Sequence, residues 1–151
     1  MSNLNFKINN DLRGTLIAID SEFDLPFSIK RIFYIKNLDN LDRGFHAHRK
    51  CEQILVAIEG SFTLILDNGY EETEFVCNKP NIGAHVPLYN WLSMKNFSND
   101  CIVMVICSYK YDESEYIRDY NIFLNEIKEN KNKINFINNF SLHLLTFQMP
   151  I

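Results

Sequence analysis

A chain of 151 residues, 46% hydrophobic and 23% charged, is one domain's worth of sequence, with enough apolar surface for a core of its own. Its formal net charge of -4 excludes bulk attraction to nucleic acid or to an anionic membrane. No apolar run is long enough to span a bilayer and no secretory leader opens the chain, so the cytoplasm is the expected compartment.

In chain order, Thr15 to Asp20, Ile29 to Ile35, Gly44 to His48, Gln53 to Glu59, Ser61 to Asp67 and Tyr70 to Cys77 read as strands, being short runs rich in β-branched, aromatic and aliphatic residues. Gly60 separates two of them, and Asp67-Asn68-Gly69 supplies the residues a tight hairpin needs. Ile82 to Pro87, Trp91 to Phe97 and Cys101 to Ser108 follow. Only then does the period change. From Ser114, read as an N-cap with Glu115 in the first turn, Ile117, Tyr120, Phe123, Leu124 and Ile127 recur at helical spacing. The pattern predicts an all-β jelly-roll barrel with one C-terminal helix packed outside it. The barrel domain is expected over residues 1–130, with 131–151 as an extension of unknown role.

Cys51, Cys77, Cys101 and Cys107 show no CxxC spacing and lie in or beside apolar segments, as core thiols in a reducing compartment do. The chemistry concentrates elsewhere, in Arg43-Gly44-Phe45-His46-Ala47-His48. Imidazoles one residue apart on a strand share a face. They open either onto a metal or onto a substrate with protons to move.

On a jelly roll, His46 and His48 followed by Glu52 and, after the next strand, Gly60 resemble the first motif of the cupin superfamily, whose metal ligands fall at these three positions. The second cupin motif brings a further histidine; the matching stretch, Pro87 to Asn96, carries Leu92 there. His85 lies close by but out of register. An alkyl side chain cannot coordinate a cation, so no metal is assigned. A three-ligand, metal-dependent cupin enzyme is kept as an alternative.

A narrower resemblance rests on Asp11-Leu12-Arg13-Gly14, Leu25 to Ile35, Arg43 to His48 and Tyr111 to Tyr120, which are similar in order to signatures of the dTDP-sugar 3,4-ketoisomerases. It implies isomerisation of dTDP-4-keto-6-deoxyglucose to a 3-keto sugar with no metal or other cofactor. It also implies a homodimer exchanging N-terminal strands, and a product destined for 3-amino-3,6-dideoxy sugars. Neither nucleic acid nor membrane is an expected partner. A module that holds nucleotide sugar without chemistry is a third alternative, and the gluco or galacto configuration at C4 of the product stays open.

The reaction needs a base at C3 and an acid that returns a proton to C4. His48 is expected to be the main acid/base at carbon with His46 as its partner, and Tyr34 to donate to the enolate oxygen. Arg43, Arg31 and Arg13 are candidates to hold the diphosphate. Glu52 and Gln53 are expected to orient an imidazole or bind a sugar hydroxyl, and Tyr89 and Trp91 to pack on sugar or thymine. Tyr116, Arg118 and Tyr120 are read as helix docking and dimer support.

Overall fold

The computed structural model describes residues 3–36, 38 and 41–146, with side chains as far as Lys133. Twelve strands are formed by these residues: β1 (Asn3–Asn5), β2 (Lys7–Asp11), β3 (Gly14–Ala18), β4 (Arg31–Ile35), β5 (Arg43–His48), β6 (Gln53–Glu59), β7 (Phe62–Asp67), β8 (Glu72–Cys77), β9 (Ile82–Val86), β10 (Trp91–Lys95), β11 (Ile102–Cys107) and β12 (Tyr116–Ile117). One sheet has the order β1-β9-β6-β11-β4 and the other β12-β5-β10-β7-β8, all pairs antiparallel; β2 and β3 pair only with each other. The expected all-β jelly roll is the fold found.

Strand alternation builds the core. From the first sheet Leu55, Ala57, Ala84, Val86, Val103 and Val105 point inward, and from the second Phe62, Leu64, Leu66, Leu92 and Met94 meet them, every one at most 5% exposed. β6 is apolar on both faces because its outward residues, Ile54 and Val56, are buried too, beneath Phe6, Ile17, Leu25 and Phe27 from the N-terminal segment. That cover stops short of Ile32, Tyr34 and Ile58, which stay 55%, 68% and 43% exposed.

The tight turn after β7 follows its sequence. Gly69 takes φ +86, and Asp67 and Asn68 side chains accept from the backbone N–H groups of Gly69, Tyr70 and Glu71. Tyr70 and Glu71 are thereby spent in the turn, and β8 begins at Glu72 rather than Tyr70.

The helix starts later than its periodicity implies. Asp112 caps a single 3-10 turn, Glu113–Glu115, by accepting from the Ser114 backbone N–H at 3.0 Å, and the chain then extends into β12 against β5. Helix α1 (Tyr120–Thr146) is capped by Asp119, whose carboxylate accepts from the N–H groups of Asn121 and Ile122 at 2.8 and 3.0 Å. Ser114 is therefore not its N-cap. Ile117, which fits the helical spacing, is buried from a strand instead. Phe123, Leu124 and Ile127 dock α1 on the outside of the barrel over Ala47, Ile117, Tyr89 and Trp91. The helix continues through Lys131.

Candidate active site

β5 alternates as a strand should: Ala47 faces α1, while His46 and His48 face inward. Their ring centroids are 4.9 Å apart and the rings are nearly perpendicular, at 86°. His46 borders a cavity of about 250 Å³ with Arg43, Gly44, Gln53, Leu92, Tyr116 and Arg118, closed by Phe33, Ile35, Leu55, Met94 and Val105. Gly44 is required here. It sits at φ +93, and a Cβ would lie 2.8 Å from the Leu92 carbonyl oxygen across the strand pair.

His48 lies one layer deeper, only 2% exposed. Its Nδ1 is 2.5 Å from Glu115 Oε1, and its Nε2 is 3.1 Å from the side-chain nitrogen of Gln53. Glu115 is equally buried, and its other oxygen accepts from the backbone N–H groups of Arg49 and Lys50 at 3.1 and 3.2 Å. Among the described residues, His46 Nδ1 is the buried side-chain polar atom without a hydrogen-bond partner, which leaves it free to meet a ligand.

Burial sets the charge state of both rings. It pushes His46 down to about 4, with His48 and Arg118 pushing the same way. Burial also lowers His48, against the opposing pull of the Glu115 carboxylate. Both imidazoles are therefore neutral near pH 7, each with a lone pair to accept a proton.

The Tyr116 ring centroid lies 4.3 Å from that of His48, edge-on at 60°, and 5.2 Å from that of His46, tilted at 43°, and the Arg118 guanidinium lies 4.5 Å over it. Arg118 is held by Glu113 at 2.5 and 3.0 Å, and that pairing, with the Tyr111 hydroxyl, lowers the Glu113 carboxyl to about 2. Arg31 lies over Phe33 and Tyr111, at 4.5 and 5.0 Å from the ring centroids.

His46, Gln53 and Arg43 thus share the cavity lining, with His48 against His46 and Arg31 over the Phe33 ring. Tyr34 does not join them in its own chain: alternation along β4 aims Phe33 and Ile35 into the cavity and Tyr34 out of it. Tyr89 and Trp91 also lie outside, packed beneath α1, with Trp91 edge-on to Tyr120 at 5.2 Å; Leu92 and Met94 hold the inward positions of β10. Arg13 sits in the exposed β2–β3 hairpin, gripped by Asp11. Glu52 turns to His85, 2.8 Å away, and not to either histidine of β5.

That last contact bears on the metal alternative. The cupin ligand set does not assemble: Glu52 is engaged by His85, and Leu92 holds the second-motif position. His48, Cys51 and Glu115 do place their ligand atoms within 4.8 Å of one another, but His48 and Glu115 spend those atoms on each other and on backbone N–H groups. These residues do not fit a resident cation.

The family model described as FdtA, WxcM-like, C-terminal, matches residues 1–128. The chain belongs to the FdtA family. A TDP-4-oxo-6-deoxy-alpha-D-glucose-3,4-oxoisomerase from Aneurinibacillus thermoaerophilus is 46% identical over 121 residues, 80% of this chain and 87% of the relative. The crystal structure of a 3,4-ketoisomerase from Helicobacter canadensis superposes with a TM-score of 0.81 at 41% identity, covering 84% of this chain and 96% of that one. A histidine-to-asparagine mutant of the 3,4-ketoisomerase QdtA from Thermoanaerobacterium thermosaccharolyticum, in complex with TDP-4-keto-6-deoxyglucose, gives 0.82 at 34% identity, covering 85% and 94%.

For this FdtA-family chain, reasoning from sequence missed Glu115, Tyr116 and Arg118 at the site. The signal was present in the Tyr111 to Tyr120 element, which was read as helix from Ser114 onward. Once Asp112 is taken as capping a single turn, Tyr116 and Ile117 become strand residues beside β5, and Tyr116 faces the same way as His48. Tyr120 does dock the helix, donating its hydroxyl to Asp67.

Proposed function

We propose that the chain is a 3,4-ketoisomerase that converts dTDP-4-keto-6-deoxyglucose to the 3-keto-6-deoxyhexose, supplying 3-amino-3,6-dideoxy sugars in the cytoplasm. The observation that carries this reading is the pair of neutral imidazoles, 4.9 Å apart, at a cavity in a chain whose relatives are named as 3,4-ketoisomerases. The cavity, at about 250 Å³, falls below the roughly 300–1,000 Å³ that enclose a whole ligand. It suits one sugar ring, with the nucleotide outside.

One imidazole removes the C3 proton while the C4 oxygen gains one, giving a 3,4-enediol. The O3 proton is then lost as a proton is delivered to C4, leaving the carbonyl at C3. Atoms and charge balance with no external oxidant, and neutral histidines suit both transfers near pH 7. His48 acts at carbon and His46 as its partner. Arg43, which lines the cavity, and Arg31, over the Phe33 ring beside it, are assigned to the diphosphate, and Gln53 to a sugar hydroxyl or the His48 ring.

The working unit is a homodimer with exchanged N-terminal strands. Support comes from the β2–β3 hairpin, which among the described residues pairs with no other strand and exposes Ile8 and Leu16, and from the uncovered face at Ile32, Tyr34 and Ile58. Exchange would carry Arg13 from its own hairpin to the partner's cavity. Four free cysteines agree with a reducing compartment, and no helix of the described residues is long and apolar enough to cross a membrane.

The direct test supplies the purified protein with dTDP-4-keto-6-deoxyglucose in EDTA and follows the product by NMR. Undiminished formation of a 3-keto sugar supports the reading. Binding without conversion, or conversion that stops until a metal is restored, rejects it.

A further inference from the structure

The imidazoles account for the protons at carbon, but the isomerisation also moves a proton onto the C4 oxygen and another off the C3 oxygen. That second pair of transfers needs a group that gives up a proton and takes one back at the same pH. Among the described residues that line the cavity, Tyr116 carries the one hydroxyl. The guanidinium groups of Arg43 and Arg118 donate hydrogen bonds without releasing a proton, and the Gln53 amide does not exchange its own in this way. Apart from His46, the rest of the wall is glycine or apolar. Alternation along β4 brings Phe33 to that wall and turns Tyr34 away, so the hydroxyl comes from β12 instead.

Tyr116 is the register partner of His48, and its ring borders both histidines of β5, at 4.3 Å from His48 and 5.2 Å from His46. Arg118 covers the ring at 4.5 Å and Tyr111 lies 6.0 Å from it. Burial raises the phenol above the ordinary tyrosine value; the Arg31 guanidinium from β4 pulls it down, and Glu115 and Cys107 push it up. At neutral pH the group is therefore a protonated phenol, ready to donate. Two guanidinium groups, those of Arg31 and Arg118, then stand by to stabilise a phenolate during the reaction.

We propose that Tyr116 is the catalytic acid and base at oxygen, passing one proton to O4 and recovering one from O3. The inference rests on the ketoisomerase reading of the site, and it holds whichever imidazole works at carbon. In the first half, an imidazole takes the C3 proton and the C–H pair forms the C3–C4 double bond. The C4 carbonyl pair moves to oxygen, and the Tyr116 O–H proton follows it. In the second half, the phenolate takes the O3 proton and that O–H pair closes the C3 carbonyl. The double-bond pair takes the imidazolium proton at C4, so tyrosine and imidazole are both restored and no other reactant is consumed.

The experiment compares the full-length wild type, Tyr116→Phe, and a chain carrying a ring-fluorinated tyrosine at position 116 alone, each by steady-state kinetics with dTDP-4-keto-6-deoxyglucose. Phenylalanine keeps the ring against the histidines and removes only the hydroxyl, so kcat is expected to fall about 10²–10⁴-fold with KM within roughly threefold. The fluorinated ring keeps the hydroxyl but is more acidic. Its kcat is expected to decline between about pH 7 and 9, where the wild-type rate stays flat. A Tyr116→Phe kcat within about fivefold of wild type overturns the proposal, as does a fluorinated enzyme whose pH profile matches the wild type's. Should Tyr116→Phe not fold, the fluorinated enzyme decides alone. A wild type that fails to isomerise the keto sugar overturns the functional reading and this proposal together, whereas an active wild type with indifferent variants overturns the proposal alone.

Discussion

His48, to which the proposed mechanism gives the proton transfer at carbon, is held on both ring edges at 2% exposure, a costly placement for a polar side chain. His48→Asn keeps a planar amide of similar reach, so the barrel is expected to fold while kcat falls by about 10³-fold or more, checked by product formation alongside a thermal melt. The depressed basicity of both rings predicts a further result. With His46 at about 4 in the fold and near 6.5 in the unfolded chain, the unfolded chain binds the extra proton between those values. Stability is therefore full above about pH 6.5 and is lost as pH falls towards 4, by up to roughly 3 kcal/mol from this residue. The acid limb of kcat/KM should fall below the ordinary histidine range; urea titrations and rate profiles from pH 4 to 8 check both.

At the scale of elements, β5 is the strand that links packing to chemistry, because the residue between its two histidines, Ala47, is the floor on which α1 stands. Phe123 is fully buried there. Phe123→Ala is expected to cost about 3–5 kcal/mol, and Asp119→Ala, which removes the helix cap, about 1 kcal/mol, both read from urea unfolding. Period-two strands were legible wherever hydrophobic residues bracketed them, so β6 begins and ends where its composition says, at Gln53 and Glu59. β1 and β2 were not, because Asn3–Asn5 and Lys7–Asp11 carry one apolar residue each, Leu4 and Ile8, among polar ones and owe their extended form to pairing with β9 and β3. The stretch from Asp112 to Asp119 was misread for a different reason: two acid caps lie seven residues apart, and the apolar spacing suits either start. That shift hid Glu115, since an acid in a first helical turn has an adequate explanation at the surface.

For the whole molecule, one barrel supplies the histidines, but its first sheet leaves an apolar face only partly covered by the N-terminal segment. Tyr34 belongs to this face, which is why a tyrosine beside so many site residues in the sequence does not reach the cavity of its own chain. Replacing Ile32 and Tyr34 together by Asp is expected to shift the proposed dimer to monomer in analytical ultracentrifugation; a dimer that survives the change would place the interface elsewhere. The histidine pair, Arg43 and Gln53 could be read from local motifs, whereas Arg13, Glu52, Tyr89 and Trp91 could not be placed, because strand parity and long-range pairing decide which way each side chain points.

The central claim is that imidazoles of this barrel move protons along a keto sugar. Incubating the enzyme with dTDP-4-keto-6-deoxyglucose in deuterated water containing EDTA, and locating deuterium by NMR, tests it most directly. The account predicts deuterium at C3 of recovered substrate and at C4 of product, with none at C5. Conversion that carries no solvent deuterium, or exchange that EDTA abolishes, would contradict it.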